Sequence, residues 1–173
     1  MQLKPDDAEA HFNLGNALRQ TGNIDQAIVC YQNALRLRPG YASASFNLGI
    51  ALIEQGKMAG AEAQLESALQ LQPDNPNIQN TLAWLLATCP QSSLRNGEKA
   101  LQLAQRANEQ SGARNPSFLR TLAAAFAEVG RFDDARCTVQ KAIDLAQAAG
   151  RQDMAEELNG DLTRYEAGLP FRQ

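Results

Sequence analysis

The stretch AHFNLGNAL (Ala10–Leu18) is repeated 34 residues later as ASFNLGIAL (Ala44–Leu52), with Phe, Asn, Leu, Gly, Ala and Leu in the same order. The agreement continues outward at the same offset: Gly22 falls on Gly56, Ala27 on Ala61, Ala34 on Ala68 and Pro39 on Pro73. A further step places Leu82, Ala83 and Leu86 on Leu48, Gly49 and Leu52. Self-similarity at a fixed period of this length marks a supersecondary unit that cannot bury its apolar face alone and stacks on its neighbours. Within each unit the large apolar residues recur at helical spacing, and a glycine then supplies the positive φ that turns one helix into the next. Small residues at matching places (Gly15 and Ala27, Gly49 and Ala61, Ala83 and Ala100) predict helix pairs in close approach, where a larger side chain overpacks.

Composition agrees with a folded domain that has a core. The 173 residues are 44% hydrophobic and 20% charged, enough apolar material for a core and too much for disorder. A net charge of −3 and a pI of about 5.2 leave no concentrated basic surface, so nucleic acid is not an expected partner. No apolar run reaches the roughly 18 to 20 residues that span a bilayer, and direct membrane insertion is not expected. Three scattered cysteines, Cys30, Cys89 and Cys137, make no paired framework and read as buried, reduced thiols. This favours a reducing compartment, and a cytoplasmic location is expected for this domain. A single histidine, His11, leaves no multi-histidine metal site. Neighbouring carboxylates such as Asp133 and Asp134, or Glu156 and Glu157, point about 100° apart on a helix and do not pair as acid and base. No catalytic site, cofactor or metal is expected.

The repeated residues resemble the tetratricopeptide repeat (TPR). The first unit (8–41) carries Leu14, Gly15, Leu18, Gly22, Ala27, Tyr31, Ala34 and Pro39, and the second (42–75) carries Leu48, Gly49, Leu52, Gly56, Ala61, Leu65, Ala68 and Pro73. The fourth (116–149) carries Leu119, Leu122, Ala123, Phe126, Gly130, Ala135, Val139 and Ala142. The third (76–115) departs: Leu82 and Ala100 are 18 apart, where Leu48 and Ala61 are 13 apart, so the turn at 88–97 is enlarged and Pro90 stands near the usual glycine. The resemblance implies an all-α, right-handed α-α superhelix of four helix pairs, a single domain over 1–173. Residues 150–167 supply a capping helix with Met154, Leu158, Leu162 and Tyr165 inward and Glu156, Glu157, Asp161 and Arg164 in water, followed by a tail at 168–173. Asn75 and Asn115, each before a proline, read as N-caps, and Asn23 with Gln26 as a capping box.

Residues 1–7 match the end of a repeat whose helices are absent, so the chain is expected to be a C-terminal piece of a larger bacterial protein. The enlarged elbow and the ending are similar to a terminal variety of the repeat found in large bacterial proteins, including membrane-embedded glycosyltransferase-like ones. That implies a membrane-associated parent and a docking appendage.

The resemblance also implies a concave groove lined by the first helix of each unit. Carried onto this sequence, the groove residues are Phe12, Asn13, Asn16, Arg19, Phe46, Asn47, Ile50, Asn80, Thr81, Trp84, Arg120 and Thr121, with Ser117 and Glu128 in the same register. Asn13 and Asn47 are equivalent, and a carboxamide ladder can grip a peptide main chain; Thr81 and Thr121 interrupt it. Phe12, Phe46, Ile50 and Trp84 read either as anchors for a partner or as packing residues, with the enlarged elbow as cover for Trp84. A chaperone-tail clamp is excluded, because its cationic places hold Phe12, Asn77 and Thr81. The expected function is a protein-interaction scaffold binding a peptide segment. The alternative is a homo-oligomer, in which the first repeat's open face pairs with another copy or captures the Leu169–Phe171 tail.

Overall fold

The computed structural model describes residues 7–173, and among these the regular structure is entirely helical. The expected remnant of a preceding repeat at 1–7 lies, apart from Asp7, outside the described residues. The chain divides into two compact units, residues 1–74 and 75–173.

The first unit holds two antiparallel hairpins, α1 (Ala8–Gln20) with α2 (Ile24–Leu37) and α3 (Ala42–Glu54) with α4 (Met58–Leu71). Asp7 starts α1 by accepting from the backbone N–H groups of Glu9 and Ala10 at 2.9 and 3.2 Å. Each hairpin turns at a glycine in the left-handed region, Gly22 at φ +78° and Gly56 at φ +73°. The residue after each glycine reaches back to close the helix, Asn23 N–H to Leu18 O at 2.8 Å and Lys57 N–H to Leu52 O at 2.9 Å. Asn23 does not make a capping box. Its carboxamide donates to Thr21 Oγ1 at 2.9 Å, and α2 starts without a side-chain cap.

Contact between the paired helices is set by the small residues. A Cβ on Gly15 would lie 2.6 Å from the Tyr31 ring, and one on Gly49 would lie 2.8 Å from Leu65 Cγ and 3.4 Å from the Ala61 carbonyl. Tyr31 and Leu65 are fully buried against these gaps. Ala27, Ile28, Tyr31, Leu48 and Ala51 form the shared core of the two hairpins, with Phe12, Leu18 and Leu52 packed against it.

The second unit holds α5 (Pro76–Thr88), α6 (Gly97–Gln110), α7 (Pro116–Glu128), α8 (Phe132–Ala148) and α9 (Gln152–Glu166). Asn75 and Asn115 cap α5 and α7 as expected, each accepting from the second residue of its helix. The enlarged elbow contains one 3₁₀ turn, Ser92–Leu94. It is held by backbone and charge: Asn96 N–H donates to Leu86 O at 3.0 Å, and Arg95 donates to Cys89 O and pairs with Glu128 of α7 at 2.9 Å. Cys89 is buried beneath it, and Cys30 is buried too, but Cys137 is exposed, against expectation; it lies on the outer side of α8.

Along α9, Leu158 and Tyr165 are buried and Met154 and Leu162 half-buried, as the stripe predicts. Asp161, expected in water, is only 2% exposed. The reason is a partner far away in sequence, described below. Gly160 sits on the other side, with nothing within 4 Å of where its Cβ would be.

The two kinds of glycine predict opposite responses. Gly49→Ala should destabilise by about 1–3 kcal/mol, because Leu65 must move out of a filled core. Gly160→Ala should stabilise by about 1 kcal/mol, because it adds helix propensity with no contact. Reversible chemical unfolding measures both; equal effects of the same sign would contradict this account of the packing.

Candidate functional site

In the second unit one face brings together α5, α7 and α9. Asn80, Thr81 and Trp84 project from α5, Ser117, Arg120 and Thr121 from α7, and Met154 from α9, around an open hollow of about 230 Å³. Thr121 is nearly buried, and its hydroxyl donates back to the Ser117 carbonyl at 3.2 Å. The hollow therefore offers a carboxamide, hydroxyls, an indole, a thioether and a guanidinium within one small space, a mixture suited to a polar chain carrying apolar anchors.

Arg120 organises this face. Its Nε donates to Asp161 Oδ2 at 2.7 Å and its Nη1 to Glu157 Oε2 at 2.8 Å, both on α9. Burial works against the charge on Arg120, but the bonds and charges of Asp161 and Glu157 more than offset it and raise its pKa. Burial pushes the Asp161 carboxyl above its ordinary value, with the Arg120 bond pulling the other way. The guanidinium also lies 5.3 Å from the Trp84 ring centre, a cation–π distance, and so bridges the ion pair to the indole.

Trp84 has a partner that the repeat pattern does not point to. Its ring meets Phe171 of the C-terminal tail, with centroids 5.2 Å apart and planes at 44°. After Gly168, at φ +69°, the chain turns back across α7 to α5. Arg172 pairs with Glu128 Oε2 at 2.7 Å, and Gln173 N–H donates to Thr88 O at 3.1 Å. The tail expected to be captured by the first repeat's open face thus lies on its own unit instead, where it meets an aromatic partner and a carboxylate.

The groove residues of the first unit are arranged differently. Asn16 Oδ1 accepts both from the Tyr31 hydroxyl at 2.9 Å and from Asn47 Nδ2 at 2.6 Å. Arg19 pairs with Glu54 at 2.9 Å. Asn47 therefore makes its rung with Asn16, not with its sequence equivalent Asn13, which is exposed. Phe12, half-buried, packs between the rings of Tyr31 and Tyr41, at 6.1 and 5.0 Å. Phe46 and Ile50 are half-buried on α3.

Five of the twelve expected groove residues meet in the hollow of the second unit: Asn80, Thr81, Trp84, Arg120 and Thr121. Met154 also lines the hollow, and Asp161, Phe171 and Arg172 meet Arg120, Trp84 and Glu128 beside it; the repeat register points to none of the four. Phe171 and Arg172 carried a legible signal, an aromatic–basic pair after a helix-ending glycine. Asp161 carried none, since a carboxylate on a capping helix reads as solvated. Among the described residues, no three His, Cys, Asp or Glu side chains converge as a metal site requires, and no helix is long and apolar enough to cross a membrane.

Comparison with known proteins places this architecture. The family described as tetratricopeptide repeat matches residues 1–28 and 12–76. No curated protein matches the sequence. Among solved structures, MamA is similar over 86% of this chain and 83% of its own, at 18% identity and a TM-score of 0.71. YrrB, described as a TPR protein with an unusual peptide-binding site, is similar over 95% of this chain and 89% of its own, at 19% identity and a TM-score of 0.69. TTC0263, a thermophilic TPR protein of Thermus thermophilus, is similar over 94% and 98%, at 17% identity and a TM-score of 0.63. These likenesses establish the fold over both units.

The Arg120 network predicts a characteristic mutational pattern. Arg120→Met should cost about 3 kcal/mol, because it strands the Asp161 carboxylate in a buried place. The double variant Arg120→Met/Asp161→Leu should recover most of that loss, since both charges then leave together. A double variant less stable than the single one, by urea unfolding, would contradict the assignment.

Proposed function

We propose that this chain is a tetratricopeptide repeat protein and acts as a non-enzymatic protein-interaction scaffold that holds an extended peptide segment of a partner along α5, α7 and α9. The observation that carries this reading is the hollow between Trp84 and Arg120. Asn80, Thr81 and Ser117 offer donors and acceptors to a peptide main chain, Trp84 an apolar anchor, and Arg120 a cation already oriented by Asp161. Pre-orientation lowers the entropy that binding must otherwise spend on a long side chain. The fold likeness to YrrB, with its peptide-binding site, supports the same reading.

The first unit serves mainly to support. Asn16 accepts from both Tyr31 and Asn47, which favours the second unit as the principal seat. Asn13, Phe46 and Ile50 are proposed as secondary contacts.

Self-association is favoured by one separate observation. Leu14 is 37% exposed, whereas its repeat equivalents Leu48 and Leu122 are 3% and 7% exposed. An apolar side chain at a position that the repeat normally buries suits a contact with a second copy. Light scattering over a concentration series tests this: a mass that rises with concentration in the wild type and not in Leu14→Gln is the expected result, and a constant monomer mass contradicts it.

For the peptide seat, selection from a random peptide library on the immobilised chain should enrich sequences that bind at least about tenfold more weakly to Ser117→Arg, which fills the hollow. The same peptides should bind Val29→Gln, on exposed α2 surface, as they bind the wild type. Equal binding to Ser117→Arg would overturn this reading.

A further inference from the structure

The tail itself indicates what this seat recognises. Residues 169–173 leave α9 through a closed helix end, with Gly168 N–H on Tyr165 O and Leu169 N–H on Arg164 O, and then run across the neighbouring helices. Three kinds of contact hold them. The Phe171 ring rests on Trp84, with the guanidinium of Arg120 5.6 Å and that of Arg164 5.7 Å from its centre. The Arg172 guanidinium meets the Glu128 carboxylate, and Arg172 also reaches the Ala87 carbonyl at 3.4 Å. The backbone N–H of Gln173 meets the Thr88 carbonyl at the end of α5. An aromatic ring, the cation that follows it and a main-chain donor are thus read by an indole, a carboxylate and a helix-end carbonyl.

These are the components of a peptide-recognition site, not of a core. Leu169 stays exposed, and Pro170, Phe171 and Arg172 are only half-buried. Glu128 remains tied through its other oxygen to Arg95 of the elbow, so the carboxylate keeps its place without Arg172. Trp84 and Arg120 border both the tail and the hollow, so one bound segment can run from one into the other.

We propose that residues 169–173 are a built-in occupant of the part of the peptide seat that adjoins the hollow, and that the partner is an extended segment with an aromatic residue followed directly by Arg or Lys, which binds by displacing them. This rests on the reading of α5, α7 and α9 as a peptide seat and adds the chemistry of the ligand and a gate on its entry. A tail tethered by one glycine acts at an effective concentration on the order of 1 mM. With the tail's own sequence binding the open seat at a Kd on the order of 0.1 mM, the tethered copy weakens a competing segment roughly tenfold.

Trp84 is the sole tryptophan of the chain, so its emission reports directly on the tail. In the full chain, Phe171→Ser/Arg172→Ser should release the tail and shift the emission of Trp84. Adding an end-blocked hexapeptide with the sequence of residues 168–173 should reverse the shift. Fluorescence titration should give roughly tenfold tighter binding of that hexapeptide to the release variant than to the wild type. A hexapeptide with Glu in place of Arg should fail to bind, a control on the ligand that leaves the protein's fold untouched. Unchanged emission on release, or equal hexapeptide affinity for both proteins, overturns the proposal. An emission that depends on protein concentration does so too, because it makes the occupant a second copy. Library peptides that need the hollow yet bind wild type and release variant alike would leave the peptide seat standing and overturn the role of the tail. If neither they nor the hexapeptide bind, both readings fall.

Discussion

Everything in this molecule depends on how closely the two helices of a hairpin can approach. At Gly15 and Gly49 there is no room for a single carbon atom: the space belongs to the Tyr31 ring and to the Leu65 side chain. Tight approach buries Tyr31 and Leu65 of the second helices completely, while Asn13 and Phe46 on the first helices stay at least partly accessible. Because a short helix is marginal alone, stability comes from these packed seams and not from propensity. The accessible face is therefore free to hold residues chosen for other reasons.

Those residues diverge between the two units although the backbone repeats. In the first unit Asn16, Asn47 and Tyr31 satisfy one another, and Arg19 is matched by Glu54. In the second, Arg120 is matched from a different helix, α9, so the ion pair fixes the capping helix and at the same time holds a guanidinium beside Trp84. A buried pair of this kind adds little net stability, since desolvation offsets attraction, but it gives a defined geometry. That geometry places α9, and α9 in turn aims the tail.

The helical hairpins are legible in the sequence because their causes are local or periodic. Gly22 and Gly56 announce the turns, Asn75 and Asn115 announce helix starts, and the Leu14-to-Leu48 spacing announces the repeat. The capping box expected at Asn23 does not form: its carboxamide donates to Thr21 Oγ1, and α2 starts without a side-chain cap. The candidate site is legible only in part. The repeat register brings Asn80, Thr81, Trp84, Arg120 and Thr121 to one face. It gives no sign that Asp161 turns inward, because its partner lies 41 positions away, nor that Phe171 covers Trp84 from 87 positions away. Pairings over such distances depend on the path of the chain after Gly168, which no periodicity encodes.

We propose the face of α5, α7 and α9 as the recognition surface. Backbone and indole chemical-shift mapping during titration with an end-blocked aromatic–basic peptide tests it most directly. The largest changes are expected at the Trp84 indole N–H, along α5 and α7, and in residues 169–173 as they leave. Changes confined to α1 and α3, with the Trp84 indole unmoved at saturation, would contradict it.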